Sequence, residues 1–130
     1  MHRNFIALAA LLGGLAVATG AFGAHGLQRI TADQAIIRSY QTAVLYQMFH
    51  VLGLLAIGIL FEKYASPLLN WSGGLFLAGI FLFSGSIYVL TWLKINGMET
   101  RWIGPITPVG GVLFIAGWLL LMTAVLRKKS

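Results

Sequence analysis

His50 is the residue whose setting most suggests chemistry. It stands about six residues inside an apolar run that begins near Val44, roughly 9 Å along a helix axis. Tyr46 and Gln47 precede it by four and three positions, so all three side chains share one helix face. An imidazole there can relay a proton, contact a ligand or ligate a metal. It can equally sit neutral, hydrogen-bonded to a neighbouring helix, with Ser84, Ser86 or Tyr88 as the partner. Those three belong to Phe83-Ser84-Gly85-Ser86-Ile87-Tyr88, where Ser84 and Tyr88 face together and Ser86 faces elsewhere. Hydroxyls in such places line polar paths or tie helices together at about 0.6 kcal/mol each. His25, at the end of the first apolar run, is the other candidate ligand. With His50 it raises a bis-histidine haem, since four-helix bundles host such sites. A metal other than haem needs three or four ligands. No carboxylate stands beside either histidine, and Asp33 approaches only if a loop folds over.

Several reaction classes lack their parts. There is no Gly-x-Ser-x-Gly elbow, no His-Glu-x-x-His and no phosphate-binding Gly-rich loop. Zero cysteines removes disulfides and thiol catalysis. Asp33, Glu62 and Glu99 are the acidic residues, and all lie outside the apolar runs. No nucleophile–base pair is evident, so the expectation is a protein that is not an enzyme and needs no cofactor.

The elements that must position these residues are four apolar runs at 5–24, 44–61, 69–93 and 108–126. Each approaches the roughly 20 residues a helix needs to cross hydrocarbon, and His50 is their one ionisable side chain of the acidic, basic or imidazole type. With 58% hydrophobic and 9% charged residues in 130, the chain reads as an all-α bundle of four transmembrane helices and a single domain over 1–130. Arg3 before an apolar run, with Ala21-Phe22-Gly23 behind, also describes a signal peptide. The run is longer than the roughly 7–15 residues of a signal core, which favours an uncleaved helix. The net charge of +6 comes from basic residues scattered at helix ends, where they suit anionic lipid rather than nucleic acid.

Local signals set the boundaries. Thr31 or Asp33 caps a second helix over about 33–61, whose first turns project into the headgroups or lie along the interface. Gly26 stops the first helix. Ser66-Pro67 turns the chain into the third helix, where Trp71 and Trp92 stand 21 residues apart and suit two interfacial belts. Thr107 as cap and Pro108 as first helical residue open the fourth. Gly20, Gly23, Gly74, Gly110 and Gly111 are expected on packing faces. The side carrying both termini and the 62–70 turn holds Arg3, Lys63, Arg127, Lys128 and Lys129, against Arg29, Arg38, Lys94 and Arg101 opposite, so both termini are placed in the cytoplasm.

Four segments together, Gly20-Ala21-Phe22-Gly23-Ala24-His25-Gly26-Leu27, Tyr46-Gln47-Met48-Phe49-His50, Phe83-Ser84-Gly85-Ser86-Ile87-Tyr88 and Gly104-Pro105-Ile106-Thr107-Pro108-Val109-Gly110-Gly111, resemble the small membrane-protein family known as domain of unknown function 423. That family is similar to the animal transmembrane protein 256. The resemblance covers essentially the whole chain and implies four membrane helices in a bacterial inner membrane, without implying an activity. His25, His50, Ser84, Ser86 and Tyr88 fall on its motif positions, which makes them candidates for a shared site or a shared packing core.

The expected function is therefore non-enzymatic support of envelope integrity or of a larger membrane assembly, with membrane lipids and further copies of the chain as partners. The alternatives are a small channel or transporter with a polar path along His25, Tyr46, His50, Ser84 and Tyr88, and a bis-histidine haem protein.

Overall fold

A computed structural model describes residues 1–127; Lys128 and Lys129 of the C-terminal basic run lie outside the described residues. The first helix, α1 (Arg3–His25), is capped by the His2 ring, whose Nδ1 accepts from the Phe5 N–H at 3.2 Å. It gives way at Gly26, as the sequence indicates, with a right-handed backbone there (φ −95°). What Gly26 contributes is space: a Cβ there would sit 2.7 Å from the Phe22 ring. A single turn, α2 (Leu27–Ile30), then buries Leu27 against Ile37 and Tyr40.

The second long helix, α3 (Gln34–Tyr64), starts where Asp33 Oδ1 accepts from Ala35 N–H at 2.9 Å, while Thr31 Oγ1 supports Asp33 N–H instead of capping. Its 31 residues form one continuous helix of about 46 Å, longer than the hydrocarbon needs, so the first turns continue the span and do not fold as a separate element. Ser66 then caps α4 (Pro67–Gly79), with Pro67 at the first helical position, where its missing N–H costs nothing. A π-helical segment, Ile80–Gly85, carries the span into α5 (Ser86–Ile95). That span ends in a Schellman turn: Gly97 adopts φ +65°, its N–H reaches Lys94 O, and Met98 N–H reaches Leu93 O at 2.9 Å. The last helix, α6, covers Ile106–Arg127. It begins one residue before Thr107, so Thr107 is not its cap; that hydroxyl is used across helices, as described below.

Four spans long and apolar enough to cross a membrane result: α1, α3, α4 through α5, and α6. They do not form a square around a central axis. The α3 helix and the α4–α5 span meet along the middle, α1 packs chiefly on α3, and α6 chiefly on α4 and the π segment. Glycines set these crossings. Gly13, Gly20 and Gly58 let α1 and α3 approach through Val51, Val44 and Ile6, while Gly23 receives the Tyr40 ring. Gly110 lies against the backbone of Leu82 and Phe83, at the π segment, and Gly111 meets the Phe83 ring at ordinary contact distance. Gly74 packs on nothing within the chain and faces outward, and Gly73 is the glycine that takes the Phe5 ring. Helix phase decides this, because a shift of one residue turns a side chain by about 100°.

Candidate functional site

The polar side chains of α3 reach two different sets of neighbours from adjacent parts of one helix face. On the face toward α1 and α5, Gln47 is 3% exposed and uses both ends of its amide. Its Nε2 donates to Leu12 O on α1 at 2.9 Å, and its Oε1 accepts from Tyr88 Oη on α5 at 2.6 Å. About two helical turns toward the α2 side, Tyr40 Oη donates to Thr19 O at 2.6 Å, and Thr19 Oγ1 lies 3.4 Å from Tyr88 Oη. Ser84 donates to Ala43 O at 2.6 Å, binding the π segment to α3.

On the face toward α6, His50 stacks on Phe114 with centroids 3.5 Å apart, edge-on to Phe76. Its Nε2 lies 2.9 Å from Trp118 Nε1, and its Nδ1 lies 2.7 Å from Tyr46 O. An indole nitrogen can only donate and a carbonyl can only accept. These two partners therefore assign the neutral tautomer with the proton on Nδ1 and leave neither ring nitrogen free for a metal. The sequence reading sought the partner of His50 in Ser84, Ser86 or Tyr88. Those residues point to α3 backbone, to α6 and to Gln47, and Trp118 takes the place. Trp118 carries a signal that was readable: it stands about 18 Å into α6, inside the fourth apolar run, where its N–H must find an acceptor.

Ser86 faces elsewhere from Ser84 and Tyr88, as its spacing indicated. Its hydroxyl donates to Phe83 O at 2.9 Å, inside the π segment, so the 2.5 Å contact with Thr107 Oγ1 is donated by Thr107. Ser72 Oγ donates to Gly117 O at 2.7 Å, a second tie to α6. Thr19 and Ser72 were not singled out from sequence, because an isolated hydroxyl in an apolar run carries no phase of its own, and Thr107 was read only as a cap.

The candidates do not converge on one path. Tyr46 stacks on Phe83 and opens to the lipid side, while Ser84 and Tyr88 are bonded to α3 at Ala43 O and Gln47. His25 is exposed at the end of α1. The antiparallel contacts Ile6–Gly58, Gly13–Val51 and Gly20–Val44 put it level with Ser39, about eleven residues or roughly 16 Å from His50 along the axis. One metal or haem iron cannot bridge that separation, and among the described residues no cluster of three His, Asp or Glu gathers around either histidine.

A family model described as "Protein of unknown function (DUF423)" matches residues 19–111. The chain is 46% identical over 125 residues to a UPF0382 membrane protein of Staphylococcus aureus, covering 96% of this chain and 97% of that one. It is 40% identical over 126 residues to a UPF0382 membrane protein of Bacillus subtilis, covering 96% and 98%. A UPF0382 membrane protein of Schizosaccharomyces pombe is 40% identical over 115 residues, covering 88% and 95%. No solved structure matches the chain.

Proposed function

The chain belongs to the DUF423 family, and from that premise we propose that it is a non-enzymatic membrane protein supporting envelope integrity or a larger membrane assembly. One observation carries this reading. Seven side-chain hydrogen bonds, through Tyr40, Gln47, Ser72, Ser84, Tyr88, Thr107 and Trp118, each join two different spans. The polar groups are thereby spent on holding helices, not on lining water. The outward faces of α1 and α6 are left for lipid, for a second copy or for a membrane partner. The excess of basic residues beside the termini supports cytoplasmic termini. A yeast relative means that family membership alone does not select the compartment.

The test pairs a deletion strain with reconstituted vesicles. The reading expects the deletion to raise leakage of a periplasmic reporter under mild detergent, restored by the wild-type gene, and expects vesicles holding the protein to pass protons, potassium and chloride no faster than empty ones. Saturable flux that disappears in a folded His50→Ala protein would replace it with the transport reading.

A further inference from the structure

Between α3 and α6, on the lipid side, lies a cleft of about 470 Å³ whose aromatic lining is Tyr46, His50, Phe83, Phe114 and Trp118, with Gly111 and the aliphatic Pro108, Val112 and Ile115 on the α6 side. The aromatic lining holds two parallel pairs: Tyr46 on Phe83 at 4.7 Å and 20°, and His50 on Phe114 at 3.5 Å and 12°. Such a cleft is large enough for the ring portion of a small molecule. Its hydrogen-bonding capacity is lopsided. Among the described residues, every other hydroxyl within the four apolar runs has a protein partner: Thr19, Ser72, Ser84, Ser86, Tyr88, Thr91 and Thr123. The Tyr46 phenol alone has none, although it stands 40% exposed in an apolar run where water does not compete. The acceptor nitrogen of His50 is meanwhile taken by Trp118, and the Tyr46 carbonyl by His50. A free donor thus stands at the rim of an aromatic slot whose inner acceptors are already used.

We propose that this cleft binds a membrane-soluble molecule with a flat ring bearing carbonyl acceptors, of the quinone class, with the ring against Trp118, over the buried His50–Phe114 pair, and a carbonyl accepting from Tyr46 Oη. A flat ring gains from aromatic stacking, which a saturated acyl chain cannot. A ring carbonyl gives the phenol the partner that the protein does not. The inference goes beyond the structural role proposed above: it shares the His50–Trp118 bond with that role, but Tyr46 ties no helices, so loss of binding in Tyr46→Phe with unchanged stability separates the two.

The test uses the full chain in phosphatidylcholine nanodiscs with Trp71, Trp92 and Trp102 changed to Phe, leaving Trp118 as reporter. Titration with decyl-benzoquinone should quench Trp118 with a saturable component above the linear collisional quenching of a tryptophan ester in empty discs. Tyr46→Phe should weaken the saturable component about five- to tenfold, the loss of one hydrogen bond. Gly111→Leu should abolish it by filling the slot, since an added side chain there meets only the Phe83 ring edge, at 3.8 Å. Linear quenching alone in the parent protein overturns the proposal. So does saturation unchanged in both variants, or equal competition by a straight-chain fatty ester, which would make the cleft an ordinary acyl-chain groove.

Discussion

Adding one methyl group at Gly110 should loosen the whole of α6. A Cβ there would stand 2.7 Å from Leu82 C and 2.8 Å from Phe83 Cα, with the Phe83 nitrogen nearer still. These are main-chain atoms of a helix held on three sides, so no side chain can rotate away. Ordinary carbon contacts need about 3.5–4.0 Å, which requires α6 to move outward by about 1 Å. The same shift stretches the Ser72–Gly117 bond from 2.7 Å and the Ser86–Thr107 bond from 2.5 Å, past the useful hydrogen-bond range of about 3.2 Å. Overpacking costs about 1–3 kcal/mol, and each lost bond adds about 0.6 kcal/mol. Alanine's helix preference over glycine returns up to about 1 kcal/mol. Gly110→Ala should therefore destabilise the bundle by about 2 kcal/mol, measured by steric-trap unfolding in bicelles. Gly111→Ala is the internal control, because its Cβ meets the Phe83 ring at 3.8 Å; it should be neutral or mildly stabilising. If the two variants unfold alike, the close approach of α6 to the π segment is not the constraint described.

Two further outcomes follow from the same geometry. The ¹⁵N spectrum of histidine-labelled protein in bilayers should show His50 neutral with its proton on Nδ1, and Trp118→Phe should shift the Nε2 resonance most; an Nε2-protonated ring would break the tautomer assignment. Gly73→Ala should lower stability by about 1–3 kcal/mol through displacement of Phe5, whereas Gly74→Ala should change it by less than about 0.5 kcal/mol, and the reverse order in the same unfolding assay would place the packing face on the wrong glycine.

Much of the architecture was legible because hydropathy and helix-start chemistry act locally. The four runs mark the spans, Asp33 and Ser66-Pro67 mark two starts, and Trp71 and Trp92 stand more than half exposed at opposite ends of the third. What stayed hidden depends on helix phase. In water a polar face tells the two sides of a helix apart, but in lipid both sides are apolar. Nothing in Gly73-Gly74 says which glycine meets Phe5. The π segment was equally out of reach: Ile80-Phe81-Leu82-Phe83 has no sequence mark of a wide turn, and the reason for one appears only when Gly110 is seen against its backbone. The partners of Gln47 and His50 lie 35 to 68 residues away along the chain, so only the packed bundle shows them.

The central claim is that buried polar residues of the spans act to hold helices together, and Gln47 with Tyr88 tests it most directly. Unfolding free energies of the wild type, Gln47→Leu, Tyr88→Phe and the double variant form a cycle in a bilayer. The 2.6 Å bond between them predicts a favourable coupling of about 0.6 kcal/mol, and up to about 1.7 kcal/mol. A coupling of zero, with both single variants as stable as the wild type, would contradict the account and return these residues to the search for a transported or bound species.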